Sequence, residues 1–170
     1  MKFTTLLLSI TLLMAGTGVS AESALEASIV NFHQHSETLA TGGTIDLDTA
    51  PAQLANAGYA TVVDLRTSQE GTTEEEIAVL DQNLNYVNIP LGSELPNEEE
   101  IGRFTQLMED NSNFPMLLHC RSGNRVGTLW ASYQITEGVP VEQALSEGAA
   151  MGMSAGNAER LREKYAKNAQ

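Results

Sequence analysis

The chain has 170 residues, with 22 acidic and 9 basic side chains and a formal net charge of −13. So acidic a surface repels phosphate backbones and anionic lipid, which argues against nucleic acid and membrane as partners. The length suits one ordinary domain with one core.

The first residues, "MKFTTLLLSITLLMAGTGVSA", carry one cation at Lys2, an apolar run from Leu6 to Met14 and small residues at Val19-Ser20-Ala21. That layout predicts a secretory signal peptide over residues 1–21, cleaved after Ala21, and export to a compartment such as a bacterial periplasm. The apolar run is too short for a membrane span, and no later stretch is apolar for long enough, so no membrane association is expected after cleavage. Residues 22–170 then form a single domain.

Residues 22 to about 50 give no clear pattern, and "ATGGTIDLDTAP" (Ala40 to Pro51) is rich in turn formers. A short helix is predicted over Ala52–Ala57, and "YATVVDLRT" is a β-branched run that predicts a strand. "TTEEEIAVLDQNL" predicts a helix with Ile77, Leu80 and Leu84 on its apolar face, and "NYVNIPL" a second strand. "PNEEEIGRFTQLMEDN" predicts a helix with Ile101, Phe104, Leu107 and Met108 inward. "FPMLLHC" predicts a third strand, followed by helices over "RVGTLWASYQITEG", "VEQALSEGAAMGM" and the start of the tail from Ala155. Strands alternating with helices predict an α/β domain with a largely parallel central sheet flanked by helices.

The lone cysteine, Cys120, has no disulfide partner in the chain, so it is a buried apolar residue, an intermolecular link or a working thiol. Its setting, "LLHCRSGNRVG", favours the last. In a parallel sheet, ligands bind at the carboxyl ends of strands. There Arg121, Ser122, Gly123, Asn124, Arg125 and Val126 form a loop running into a helix, whose N–H groups can converge on an anion. Gly123 lets the backbone curl and Gly127 allows close helix packing. Arg125 supplies a guanidinium clamp, and the positive field lowers the thiol's pKa. His119 is expected to orient the loop through hydrogen bonds, and Asp64 and Arg66 to brace it.

"HCRSGNR" resembles two motif families. Tyrosine and dual-specificity phosphatases carry His-Cys, five residues and Arg, whereas rhodanese-type sulfurtransferases carry Cys-Arg-x-Gly-x-Arg. Four residues separate Cys120 from Arg125, the rhodanese length, and Val126 stands where phosphatases usually have a hydroxyl. Together with "VVDLRTSQE" and "YVNIPLGSELPNEEEIGRF", the scaffold resembles a cysteine phosphatase. It is most similar to a family of uncharacterised bacterial phosphatase-like domains, some fused to metallo-β-lactamase-like domains, over roughly Ala40 to Met153. The resemblance implies that Cys120 attacks phosphorus, that Arg125 holds the equatorial oxygens, and that an acid on the loop after the "IP" strand protonates the leaving group. Relatives use an Asp there; here the only carboxyl is Glu94. A persulfide mechanism needs no acid, so sulfur transfer stays open, as does an anion-binding module without turnover. The expected partner is a small anionic substrate, a phosphate ester or a sulfur donor.

Nothing in the sequence calls for a cofactor. His33 and His35 share a strand face but lack a third ligand at recognisable spacing, so no metal is expected. Met151 and Met153 are expected to be buried contacts. The acids Glu74–Glu76 and Glu98–Glu100 fall in helix first turns, where they complement the dipole and need no function.

Overall fold

A computed structural model of the chain describes residues 20–168. The leader expected over residues 1–21 lies almost wholly outside that range. Five strands form one sheet: β1 (His33–Gln34), β2 (Leu39–Gly42), β3 (Thr61–Asp64), β4 (Asn85–Asn88) and β5 (Met116–His119), in the order β1-β2-β5-β3-β4. All neighbours are parallel except β1 and β2. Around it lie α1 (Ala21–Ser28), α2 (Ala50–Asn56), α3 (Thr72–Leu80), α4 (Glu98–Glu109), α5 (Asn124–Thr136), α6 (Val141–Ala150) and α7 (Ala155–Asn168). The α/β class and the parallel sheet are as expected. No helix among the described residues is long and apolar enough to cross a membrane.

The strands' two-residue period separates the core into two layers. Val63, Met116 and Leu118 face Ile101 and Phe104 of α4 and Val126 and Leu129 of α5. Val62 and Leu117 face the other way, against Leu25 of α1, Leu54 of α2 and Val79 of α3. A third cluster joins α5, α6 and α7 through Ala131, Leu145, Met153 and Leu161. With helices on both faces, β2, β3 and β5 are buried along their whole lengths, as parallel strands generally are.

The predicted helices and strands are present, most of them shorter than expected. The segment that sequence reasoning could not assign contains α1, β1 and β2. One face was mispredicted. Ile77 and Leu80 of α3 are 57% and 51% exposed, while Thr72, Glu75 and Val79 point inward. The helix is rolled because Glu75 is drawn beneath the sheet edge by Arg66 and His119. The predicted burial of Leu84 holds, but beyond the helix, after a turn in which Asn83 takes φ 59°.

Gly127 and Gly148 bring α5 and α6 to backbone contact. A Cβ on Gly127 would lie 2.1 Å from the Gly148 carbonyl oxygen, so any side chain must force the helices apart. Gly127→Ala is expected to cost about 3 kcal/mol. Gly102→Ala on α4, where an added Cβ meets nothing within 4 Å, should instead stabilise by up to about 1 kcal/mol. Urea unfolding of both variants measures the contrast.

Candidate active site

β5 lies between β2 and β3, and its last residue, His119, leads directly into Cys120. Only Cys120 to Gly123 separate the strand from α5, so Arg125 belongs to the helix's first turn rather than to the loop. Gly123 caps α5 at φ 101°, a left-handed conformation that a Cβ would strain. Arg121 and Ser122 are exposed, Asn124 and Arg125 half-buried, and Cys120 only 1% exposed.

The Gly123 N–H donates to Cys120 Sγ at 3.1 Å. Burial pushes the thiol's pKa up. The backbone N–H groups of Ser122, Gly123, Val126 and Arg125 outweigh that effect, and the net shift is downward. This is the physics of a thiolate nest: oriented dipoles replace the water that burial removes.

Arg125 is held from two sides. Its Nη1 and Nη2 donate to the two carboxylate oxygens of Glu70 at 2.8 Å each, and Nη1 also donates to the Leu91 carbonyl at 3.0 Å. The bidentate pair fixes the plane of the guanidinium beside the thiol. It also holds the Glu70 carboxyl at about 2, chiefly through the Arg125 hydrogen bond. Thr67 adds its backbone N–H and hydroxyl to Glu70 Oε2.

Behind the loop lies a buried ionic cluster. Arg66 pairs with Asp64 at 2.9 Å and with Glu75, and His119 Nε2 sits 2.7 Å from Glu75 Oε1 and 3.7 Å from Asp64 Oδ1. Tyr86 donates its hydroxyl to Asp64 at 2.9 Å. His119, Asp64 and Arg66, the residues expected to brace the loop, are thus joined to one another through Glu75. Glu75 corrects the assignment of the Glu74–Glu76 run to simple dipole compensation: it is 1% exposed and links two cations. Asp64, Glu75 and His119 could converge on a metal ion, but the Arg66 guanidinium already serves both carboxylates.

Glu94 is tied to the tail helix. Its side chain is 87% exposed and pairs with Arg160 of α7 at 2.8 Å, while Arg160 also donates to the Ser93 carbonyl at 3.0 Å. His35 is hydrogen-bonded to Thr41 at 2.7 Å. Met151 and Met153 are buried, as expected. A cavity of about 480 Å³ opens beside the loop, walled by Asn31, Phe32, His33, Thr41, Gly152 and the loop's own Ser122 and Gly123.

Sequence reasoning missed Glu70, Glu75 and Asn31. Thr67-x-x-Glu70 has capping-box spacing and does form one, so Glu70 carried a signal for its local role but none for Arg125. Nothing local separates Glu75 from its acidic neighbours.

The buried cluster ties stability to pH. For His119, burial lowers the pKa, but the hydrogen bond and charge of Glu75 raise it further, so it lies above the ordinary 6.5. For Asp64, burial raises the pKa and Arg66 and His119 more than reverse that, leaving it below 3.8. The His119 contribution is complete below about pH 6.5 and is lost as pH rises through its folded value. The Asp64 contribution is present above about pH 4 and is lost as pH falls through its folded value. Stability measured by urea should therefore plateau between about pH 4 and 6.5 and decline on both sides. Glu75→Gln should cost about 3 kcal/mol and flatten the alkaline decline. A wild-type profile in that variant would remove the cluster from this role.

Several solved structures share the architecture. A candidate phosphatase (DUF442) from Shewanella putrefaciens CN-32 matches with a TM-score of 0.63 at 19% identity, covering 83% of this chain and 97% of that one. A candidate phosphatase from Neisseria meningitidis z2491 matches with a TM-score of 0.63 at 21% identity, covering 75% and 94%. TpbA from P. aeruginosa matches with a TM-score of 0.62 at 21% identity, covering 79% and 84%. At such identities the likeness shows a shared cysteine-phosphatase fold. No curated protein matches the sequence. The family described as "DSP-PTPase phosphatase fused to NAD+ Kinase" matches residues 20–167, nearly all of the described chain, and the protein belongs to that family.

Proposed function

We propose that the protein is an exported cysteine-dependent phosphatase acting on a small phosphate monoester. One observation carries the proposal: a buried thiol at the focus of four backbone N–H groups, beside a guanidinium already held in plane. In this reading the Cys120 thiolate attacks phosphorus and the ester oxygen leaves. The phosphoryl oxygens take hydrogen bonds from the loop N–H groups and Arg125, which stabilise the charge that develops on them. Water then cleaves the phosphocysteine, returning thiolate and inorganic phosphate. The cavity next to Ser122 and Gly123 offers room for the alcohol portion.

A departing alkoxide needs a proton. Glu70 is unsuited to give one, because Arg125 keeps it ionised at any pH well above about 2. Glu94 is our candidate: its pair with Arg160 is solvent-exposed, the kind that exchanges at little cost. A general acid matters most for poor leaving groups. Glu94→Gln should therefore lower turnover of an alkyl phosphate about 100-fold while changing p-nitrophenyl phosphate turnover less than about tenfold. Equal losses on both substrates would remove Glu94 from the role.

The short Cys-x4-Arg spacing favours one other reading, a sulfurtransferase that carries a persulfide on Cys120. The mature protein is expected to hydrolyse p-nitrophenyl phosphate and to lose that activity entirely with Cys120→Ser. Without turnover by the reduced wild type, and with a persulfide formed on Cys120 from thiosulfate, the sulfur reading replaces the phosphatase one.

A further inference from the structure

A trans peptide unit is planar, and its C=O and N–H point in opposite directions. Each loop N–H turned toward the thiol therefore sends the carbonyl of the same peptide outward, where it needs its own donor. In the Arg121–Ser122 peptide, the Ser122 N–H faces Cys120 and the Arg121 carbonyl accepts the Thr44 backbone N–H at 3.2 Å. In the Ser122–Gly123 peptide, the Gly123 N–H lies 3.1 Å from Sγ and the Ser122 carbonyl accepts Asn31 Nδ2 at 3.2 Å. The first anchor is backbone to backbone. The second is a side-chain amide on a segment 91 residues away, and its orientation is settled by chemistry: a carbonyl only accepts, so Asn31 must present its NH2.

The anchored peptide is also the one most able to turn over, because Gly123 has no Cβ to oppose rotation. A half-turn would replace the inward N–H with a carbonyl oxygen and repel both a thiolate and a bound anion. Asn31 is itself held firmly. It takes φ 50°, which asparagine tolerates. Backbone bonds bracket it, from Val30 N–H to the Thr44 carbonyl at 3.0 Å and from Phe32 N–H to the Ile29 carbonyl at 3.3 Å.

We propose that Asn31 is a positioning residue, whose side-chain amide locks the Ser122–Gly123 peptide with its N–H facing the Cys120 sulfur. The role concerns the anion loop and holds whichever substrate the thiol attacks.

The test reads the thiol without turnover. Cys120 alkylation by iodoacetamide is followed across pH, with and without inorganic phosphate, in wild type, Asn31→Gly and Asn31→Asp. Glycine keeps the left-handed backbone and loses the donor. Aspartate keeps the shape, and its carboxylate does not donate. Arg125, which also faces the thiol, and the His119 cluster behind the loop are untouched in both.

The alkylation midpoint in Asn31→Gly should rise by about one pH unit, the worth of one charge-assisted hydrogen bond. Protection by phosphate should weaken about tenfold, with circular dichroism unchanged. A folded Asn31→Gly with the wild-type midpoint and wild-type protection overturns the proposal. Should that variant fail to fold, Asn31→Asp decides alone, measured in about 0.5 M salt to screen its added charge, with the same two outcomes.

Discussion

A thiolate can be kept under a protein surface only if something replaces the water it loses. Here the replacement is a set of N–H groups, and they can face inward only because the strands next to β5 hold the rest of the loop's backbone. On one side the Cys120 N–H donates to the carbonyl of Gly42, the last residue of β2, and the Arg121 carbonyl receives the N–H of Thr44 just past it. On the other, the Leu65 N–H past β3 donates to the His119 carbonyl at 2.9 Å. A parallel sheet ends its three central strands at the same edge, so this support follows from the topology.

The ionic cluster extends the same logic below the loop. His119 Nδ1 faces the Gly43 carbonyl at 3.2 Å and Nε2 faces a Glu75 oxygen at 2.7 Å. Nδ1 donates to the Gly43 carbonyl, and Nε2 makes an ion-pair contact with Glu75 that lacks hydrogen-bond geometry, an arrangement that favours the cationic ring. That agrees with its raised pKa. The cluster thus holds two cations, Arg66 and His119, against two carboxylates, Asp64 and Glu75. It adds no net charge to the core, yet its histidine adjoins Cys120. Gly43 joins this cluster to the outer brace: a Cβ there would lie 2.8 Å from the Arg121 carbonyl oxygen, so the two strand ends meet without a side chain between them.

The parts legible in the sequence were those set by local pattern. β3 lies in a β-branched run and β5 is apolar up to His119, α4 shows an acid-fronted helical stripe, and the loop's chemistry sits in seven consecutive residues, His119 to Arg125. The parts that escaped depend on contacts distant in sequence. β1 has only two residues, and β2, Leu-Ala-Thr-Gly, runs into a stretch rich in turn formers with no β-branched run of its own. Ile77 and Leu80 formed the apolar stripe that pattern alone predicts for α3, but an ion pair formed across the fold overrode it. Glu75 reads as one of three equivalent acids until Arg66 and His119 surround it. Asn31 lies in a segment with no periodicity, and only the fold brings it beside Ser122.

Charge distribution also means something different in three dimensions. Six of the nine cations lie in two separate stretches of sequence, Arg121 and Arg125 at the loop and Arg160, Arg162, Lys164 and Lys167 in the tail. The two act on one element. Arg125 donates to the Leu91 carbonyl, Arg160 of α7 to the Ser93 carbonyl, and Lys164 of α7 to the Pro96 carbonyl at 2.9 Å. Three of the scarce cations therefore hold the backbone of the single connection that follows β4 and carries Glu94. A connection with few regular hydrogen bonds of its own would otherwise be free to move over the thiol. Long cationic side chains suit this task because each brings several donors to a carbonyl that no neighbouring strand can reach. The acidic surface and the basic tail are then compatible with the anion site proposed above: positive charge is spent on holding the walls around the loop, and among these three cations only Arg125 both holds a wall and faces Cys120.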